Sequence, residues 1–297
     1  MHFVDTYLEE MKNTKSDLTI KNHKSTLKKF SNFIDPVTDP AAVLGRDVMR
    51  FKKEMLETGK ATTVNTQIKR IKMFFSWCVD RGHIADSPAE DIKLVSEAET
   101  VPKWLTEDQR DRLIRAVKKD GVGTHLAENK RSYRNYAIVM LMLQTGIRLQ
   151  ELIDLKWRDV DLGERKGSVL IKGKFGQQRE ISLVSDAAKV LRNYKHYDGM
   201  KGKYVFYSQM SDQISSRQVQ TMIKEYSEAV GTDLTPHMLR HTFAHDLISG
   251  GMQLEAVARQ MGHIKRDGTP NIAQTIRYTK ASQSEIDDQM ENILAIG

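Results

Sequence analysis

Four segments of this chain carry side chains capable of chemistry on a phosphate. In TGIRLQELIDLKWRDVD (145–161), Arg148 follows Thr145-Gly146 and so falls at a helix N-terminus just after a turn. Its planar fork of donors suits a phosphate, and helix N-termini attract anions. An ion pair with Glu151, one helical turn on, would occupy it equally well. In TPHMLRHTFAHDLISGG (235–251), Pro236 suits a first helical turn, and His237 and Arg240 share one face. His241 and His245 have the spacing of a metal pair, but no Glu follows His241 and no third ligand is evident, so no metal site is expected. In QMGHIKRDGTPNIAQTIRYTKAS (260–282), Gly262-His263 ends one helix and Tyr278 lies in another, where a tyrosine is ordinarily core or surface. In IKGKFGQQREISL (171–183), Lys172 and Lys174 stand in or beside a hairpin turn, where solvated lysines are the ordinary finding.

Those segments need a scaffold, and the periodicity of the chain supplies one. Residues 1–82 read as helical throughout. Phe3, Tyr7 and Met11, then Leu27, Phe30, Phe33 and Ile34, recur at three- and four-residue spacing. A turn cluster at 35–40 separates these from Val48, Phe51, Met55 and Leu56, and Gly59 stops that helix. The next runs from near Thr62 through Val64, Ile68, Ile71, Phe75 and Cys78 to Gly82, a suitable C-terminal stop. The pattern predicts a small all-α bundle of about four helices.

Residues 83–103 carry Pro88, Pro102 and several acids, which reads as an interdomain linker. From Trp104 the chain is mixed. Thr106 and Gln109 have capping-box spacing, and 133–145 is an apolar helix suited to burial. Ser168–Ile171 and Arg179–Leu183 form a hairpin. Helices follow near 186–197, 216–229, 237–249 and 253–261, then one through Tyr278 and a last one near 284–295.

A length of 297 residues implies two domains, and 39% hydrophobic with 29% charged residues is a soluble, globular balance. No apolar run could span a membrane, and the N-terminus lacks the layout of a signal peptide. One cysteine, Cys78, excludes a disulfide framework and a cysteine zinc site. A cytoplasmic, nucleoid-associated protein is expected. The net charge of +7 favours a polyanionic partner.

Taken together and in order, the four segments resemble the tyrosine recombinase, or phage integrase, family, which includes the Xer and Cre recombinases. The resemblance rests on Thr145-Gly146-Ile147-Arg148 ahead of Glu151-Leu152, a hairpin lysine, His237–Arg240–His241, Gly262-His263 and Tyr278. Counting back from Arg179 along the family's hairpin pattern selects Lys174. Asn65, Phe74-Phe75-Ser76-Trp77, Gly82 and Ser87-Pro88-Ala89 look like the family's core-binding domain and its exit, so the likeness spans nearly the whole chain. The interval between His263 and Tyr278 is longer than usual, because IKRDGTPN intervenes.

The resemblance implies a mostly α fold with a small β component. An all-α, SAM-like core-binding domain (1–82), a linker (83–103) and an α+β catalytic domain (104–297) would form a C-shaped clamp on DNA. It implies strand cutting through a 3′-phosphotyrosine at Tyr278, with no cofactor or metal. Arg148 and Arg240 would clamp the phosphate and lower the tyrosine pKa. His237 would accept the tyrosine proton, His263 would donate a hydrogen bond, and Lys174 would be the general acid. His241 would brace the helix of Arg240. Lys60, Lys69, Arg70 and Lys72, with no acid among them, would face DNA. The partners implied are double-stranded DNA with a specific recombination site and a homo-tetramer joined through the C-terminal helix at 284–295. The programme would be integration, excision or resolution of a mobile element or replicon. A type IB topoisomerase-like enzyme and a catalytically dead DNA-binding protein are the alternatives.

Overall fold

The computed structural model describes residues 2–34, 39–97, 102–119, 130–163, 167–173, 178–198, 202–265 and 267–279. The chain divides into two units, Met1–Thr100 and Val101–Gly297.

The first unit is helical among its described residues, with α1 (His2–Lys12), α2 (Asp17–Phe33), α3 (Gly45–Thr58) and α4 (Ala61–Asp80). Ser16 caps α2 by accepting from the Thr19 N–H, which satisfies one of the free amides of the first turn. Val64, Ile68, Ile71, Phe75 and Cys78 of α4 are all buried, and edge-to-face contacts among Phe30, Phe51 and Phe75 fill the centre. Val48 and Phe51 are buried with them, whereas Leu56 points outward because it falls off the face set by residues 48, 51 and 55. Gly82 takes a left-handed φ of 69° after α4 ends.

The segment after α4 also packs here: Ala89 and Ile92 belong to this core. Asn65, buried on α4, secures it. Its amide donates to the Val95 carbonyl and to Glu97, and its oxygen accepts from the Val95 N–H at 2.8 Å. Lys52 donates to the Lys93 carbonyl.

The second unit opens with α5 (Glu107–Lys119), α6 (Lys130–Thr145) and α7 (Leu149–Asp154). Thr106 and Gln109 exchange the two hydrogen bonds of a capping box. Residues 137–143 of α6 are buried on every face, so the second core forms around this helix. Next come β1 (Val160–Asp161), β2 (Gly167–Lys172) and β3 (Gln178–Leu183), antiparallel in the order β1-β2-β3. The hairpin register pairs Ile171 with Arg179 and Lys172 with Gln178. The two-residue β1 is too short to show an alternating pattern, and periodicity does not reveal it.

The remaining helices are α8 (Ser185–Asp198), α9 (Ser216–Lys224), α10 (Ser227–Val230), α11 (Pro236–Ser249), α12 (Leu254–Met261) and α13 (Ile272–Thr275). A 3-10 turn, Ile276–Tyr278, follows α13. The single helix expected over 216–229 is two, because the chain turns at Glu225-Tyr226 and the Ser227 hydroxyl accepts from the Leu234 N–H. The segment expected to be a helix at 284–295 lies outside the described residues, as does Lys174.

Replacing Asn65 with Ala strips the Val95 N–H of its acceptor. The variant should lose about 1–3 kcal/mol, the cost of orphaning a partly buried polar group. Amide exchange at residues 93–97 should accelerate while α4 stays protected. Unchanged exchange there would show that other contacts hold the segment.

Candidate active site

The site is assembled where α7, α11 and the end of α12 meet. After α6 the chain reverses at Gly146, whose φ is 59°. A Cβ there would lie 2.3 Å from the Phe243 ring, so only glycine fits. Arg148 follows as the N-cap of α7, as its position after Thr145-Gly146 predicts. Its backbone N–H donates to Glu151 Oε2 at 2.9 Å, and its Nη1 donates to Glu151 Oε1 at 2.9 Å. The ion pair therefore exists, and the guanidinium extends past it: Nη2 donates to the Gly262 carbonyl at 2.7 Å.

Arg240 projects from α11, which Thr235 caps and Pro236 begins. Its side chain is 3% exposed. A buried guanidinium needs acceptors. It finds them in the Gly146 carbonyl, the Met261 carbonyl at 2.5 Å and His263 Nε2 at 3.1 Å. Arginine only donates, so His263 Nε2 is an acceptor and the ring proton sits on Nδ1. Nδ1 donates to Thr275 Oγ1 at 3.0 Å, and the Thr275 hydroxyl in turn donates to the Asn271 carbonyl at 3.2 Å. His263 was expected to donate to a phosphate, but in this tautomer its Nε2 serves Arg240.

Tyr278 is 5% exposed in the 3-10 turn after α13. Its ring stacks on His263 (6.0 Å between centroids, 15° between planes) and lies 5.0 Å from the His241 ring. His241 in turn sits 4.1 Å from His237, the exposed member of the group. Burial raises the tyrosine pKa; Arg240, Arg277 and Arg148 pull it down but do not prevail. This corrects the expectation that the arginines set a lowered value. Desolvation, followed by the positive charge of Arg240, lowers the pKa of His237. Burial pushes His263 down to about 3, with Arg240 and Arg148 adding to it, and burial with His237 and Arg240 takes His241 to about 3. His241 Nδ1 is buried with no hydrogen-bond partner.

Arg148, His237, Arg240, His241, His263 and Tyr278 thus fall in one cluster. Lys172 is elsewhere engaged, paired with Asp159 at 2.9 Å. Residues that the sequence reading named without giving them a catalytic role complete the arrangement. Glu151 accepts from Arg148 and, through both oxygens, from Arg179 at 2.9 and 2.7 Å. Two guanidiniums and the Arg148 N–H overcome burial and hold its carboxyl down at about 2. Gly262 has φ 62°, and a Cβ there would come within 2.7 Å of Arg179 and 3.0 Å of Arg148. Arg179 had a legible signal, since a charge stands where strand alternation calls for an inward residue. The groups are cations, imidazoles and a phenol. Among the described residues no set of His, Cys, Asp or Glu could hold a metal ion, and no helix is long and apolar enough to cross a membrane.

In the first unit, Lys60 and Lys69 are exposed. Arg70 donates to Thr26 Oγ1 at 3.1 Å and Lys72 donates to the Glu90 carbonyl at 2.8 Å. A cleft of about 340 Å³ between α2 and α4 places Lys29 and Arg70 among the hydroxyls of Ser25, Thr62, Thr63 and Thr66.

Residues 103–285 match the phage integrase family, and residues 4–82 match the family's N-terminal SAM-like domain. The chain is 28% identical over 275 residues to tyrosine recombinase XerC of Thermodesulfovibrio yellowstonii, covering 88% of this chain and 87% of that protein. It is 30% identical over 222 residues to tyrosine recombinase XerC of Xanthomonas axonopodis pv. citri, covering 74% and 67%. Its fold resembles the XerH site-specific recombinase bound to palindromic difH substrate in a post-cleavage complex, with TM-score 0.76, 18% identity and coverage of 97% and 83%. The chain belongs to the phage integrase family of tyrosine site-specific DNA recombinases.

The buried neutral histidines set a pH dependence. His241 and His263 stay neutral in the fold down to about pH 3, whereas an unfolded imidazole takes a proton below about 6.5. Their contribution is intact above 6.5 and is lost as pH falls below it. Glu151 contributes in full above the ordinary carboxylate value of 4.5 and loses its share progressively as pH falls from there towards 2, below the window between pH 7 and pH 5. The urea midpoint should therefore fall between pH 7 and pH 5, and fall less in His241→Gln. An identical midpoint at both pH values would show that these rings titrate freely.

Proposed function

We propose that the chain cuts and rejoins DNA at a specific site with Tyr278 as the nucleophile. The carrying observation is the stacking of that phenol on His263, whose Nε2 accepts from the buried Arg240. The tyrosine oxygen attacks phosphorus and forms a 3′-phosphotyrosine, and the bond to the 5′ oxygen breaks. His237, the exposed and neutral imidazole, takes the phenolic proton. Lys174 gives a proton to the departing 5′ oxygen. Arg148 and Arg240 stabilise charge on the non-bridging oxygens; His263 joins them once a phosphate draws Arg240 away and the ring takes its other tautomer, with Nε2 carrying the proton and Nδ1 accepting from the Thr275 hydroxyl. His241 packs between His237 and Tyr278 and braces that face of α11. Attack by another strand's 5′-hydroxyl reverses the step and reseals the DNA, with the bond energy held in the covalent link.

Residues 1–82, within the first unit, serve as the core-binding domain. Lys60, Lys69 and the Lys29–Arg70 cleft engage the DNA backbone, so binding weakens steeply with salt. Integration, excision or resolution of a mobile element or replicon, in the cytoplasm at the nucleoid, is the setting that suits this chemistry. The recombinases named above support this reading over a topoisomerase-like one.

Tyr278→Phe removes only the nucleophilic oxygen. It should bind a nicked suicide substrate normally and form no covalent adduct. An adduct with the Phe variant would place the nucleophile elsewhere.

A homo-tetramer on synapsed DNA, joined through residues 284–295, completes the proposal. Ile286, Met290, Ile293 and Leu294 recur there at helical spacing, with Asp287, Asp288 and Glu291 on the other side. Head-to-tail docking of such a segment closes a ring. Deleting residues 284–297 should leave half-site binding intact and abolish synapsis, as read by native gels and a recombination assay. Normal recombination by the truncated chain would confine the tail to its own protomer.

A further inference from the structure

Arg179 holds an anomalous position in the sheet. Along β3, Ile181 and Leu183 are buried while Glu180 and Ser182 are exposed. By this alternation Arg179 is the next inward residue, and an apolar side chain would be the usual occupant. The guanidinium instead leaves the sheet for two other segments. Both Nη groups meet the Glu151 carboxylate on α7, and Nε donates to the Gln260 carbonyl at the end of α12 at 3.3 Å. Its side chain is 16% exposed and that of Glu151 is 12% exposed. The backbone clears room for it, because only a residue without Cβ fits at Gly262.

β2 and β3 pair as neighbours, and in the sequence Lys174 stands between them, five residues before Arg179. Fixing Arg179 fixes the start of β3, the strand that follows Lys174 in the chain. The same Glu151 oxygen that receives Arg179 Nη1 also receives Arg148 Nη1.

We propose that Arg179 is a positioning residue that sets the hairpin, and with it the leaving-group acid, in register with Arg148 through their shared carboxylate, Glu151. Arg148 keeps its own bonds from its backbone N–H to Glu151 and from Nη2 to the Gly262 carbonyl without Arg179, so the effect of Arg179 falls mainly on protonation of the departing 5′ oxygen. The proposal rests on the reading of Lys174 as that acid.

The test uses the full chain and two nicked half-site substrates, one with the natural 5′ oxygen and one with a 5′-bridging sulfur, which leaves without needing a proton. Arg179→Ala should cleave the oxygen substrate about 100-fold more slowly, the scale of a misplaced catalytic group. It should recover most of that loss on the sulfur substrate and bind half-site DNA almost unchanged. Arg179→Lys keeps the charge but lacks the two-pronged fork, so it should fall between wild type and Ala on oxygen. This milder variant keeps the test decisive should Arg179→Ala fail to fold, which its melting curve would reveal. Equal losses on both substrates would overturn the proposal, and so would undiminished cleavage of the oxygen substrate. Lys174→Ala separates the two levels. If sulfur does not rescue Lys174→Ala, the general-acid reading itself fails. If sulfur rescues Lys174→Ala but not the Arg179 variants, only the positioning role fails.

Discussion

The end of α12 is the point on which the second unit's chemistry depends. The last carbonyls of any helix lack intrahelical partners and carry the negative end of its dipole. Here three consecutive ones each receive a different arginine: Gln260 takes Arg179, Met261 takes Arg240 and Gly262 takes Arg148. One helix terminus thereby gathers three guanidiniums from β3, α11 and the N-cap of α7. Like charges so close repel, which is why Arg148 and Arg179 act to lower the pKa of Arg240 to about 9, behind burial as the main cause. Glu151 supplies the compensating negative charge, and at about 2 its pKa keeps that charge in place across the working pH range. The carbonyls orient the arginines while Glu151 neutralises part of their charge.

Much of this arrangement can be read from the sequence because it rides on side chains at fixed helical offsets. Thr145-Gly146 before Arg148 specifies a turn into a helix N-cap, and Thr235-Pro236 before His237 and Arg240 specifies another helix start. Gly262 specifies the stop after α12. The parts that stay hidden are of two physical kinds. Backbone acceptors have no residue signature, so a motif cannot show that 260–262 collect three arginines. Ion pairs between distant segments are equally silent: Glu151 reads as a neighbour of Arg148, while its bidentate partner Arg179 is 28 residues away. Strand alternation would have flagged Arg179, had the inward pattern of Ile181 and Leu183 been extended by one step. In the first unit, the apolar spacing of α4 places Val64 to Cys78 in the core. Asn65 is one residue from Val64 and equally buried, yet it serves to hold backbone at Val95.

Burial of Tyr278 has two opposed consequences. Desolvation raises the phenol's pKa, so in this state the phenol is held protonated and its ring covered by His263 and His241. The same low polarity strengthens every charge interaction within reach of Arg240. Neutral carbonyls occupy part of that guanidinium's donor set, and they hold it in place without cancelling its charge. Under the proposed function, a phosphodiester arriving at the site meets cations already oriented, which is the condition under which electrostatic stabilisation costs no reorganisation.

The tautomer of His263 shows how such a site is held ready. Its Nε2 accepts from Arg240 and its Nδ1 donates to Thr275, whose hydroxyl is anchored on the Asn271 carbonyl. Ile264 is bridged to Pro270, and the Asn271 N–H donates to the His263 carbonyl at 2.7 Å. The longer interval before Tyr278 is thus tied off at its base. Closing a loop that leaves and returns at nearly one point adds little constraint elsewhere. Its length therefore does not set the position of Tyr278. That position follows from His263 and Thr275, which connect the end of α12 directly to α13 and the turn that bears the tyrosine.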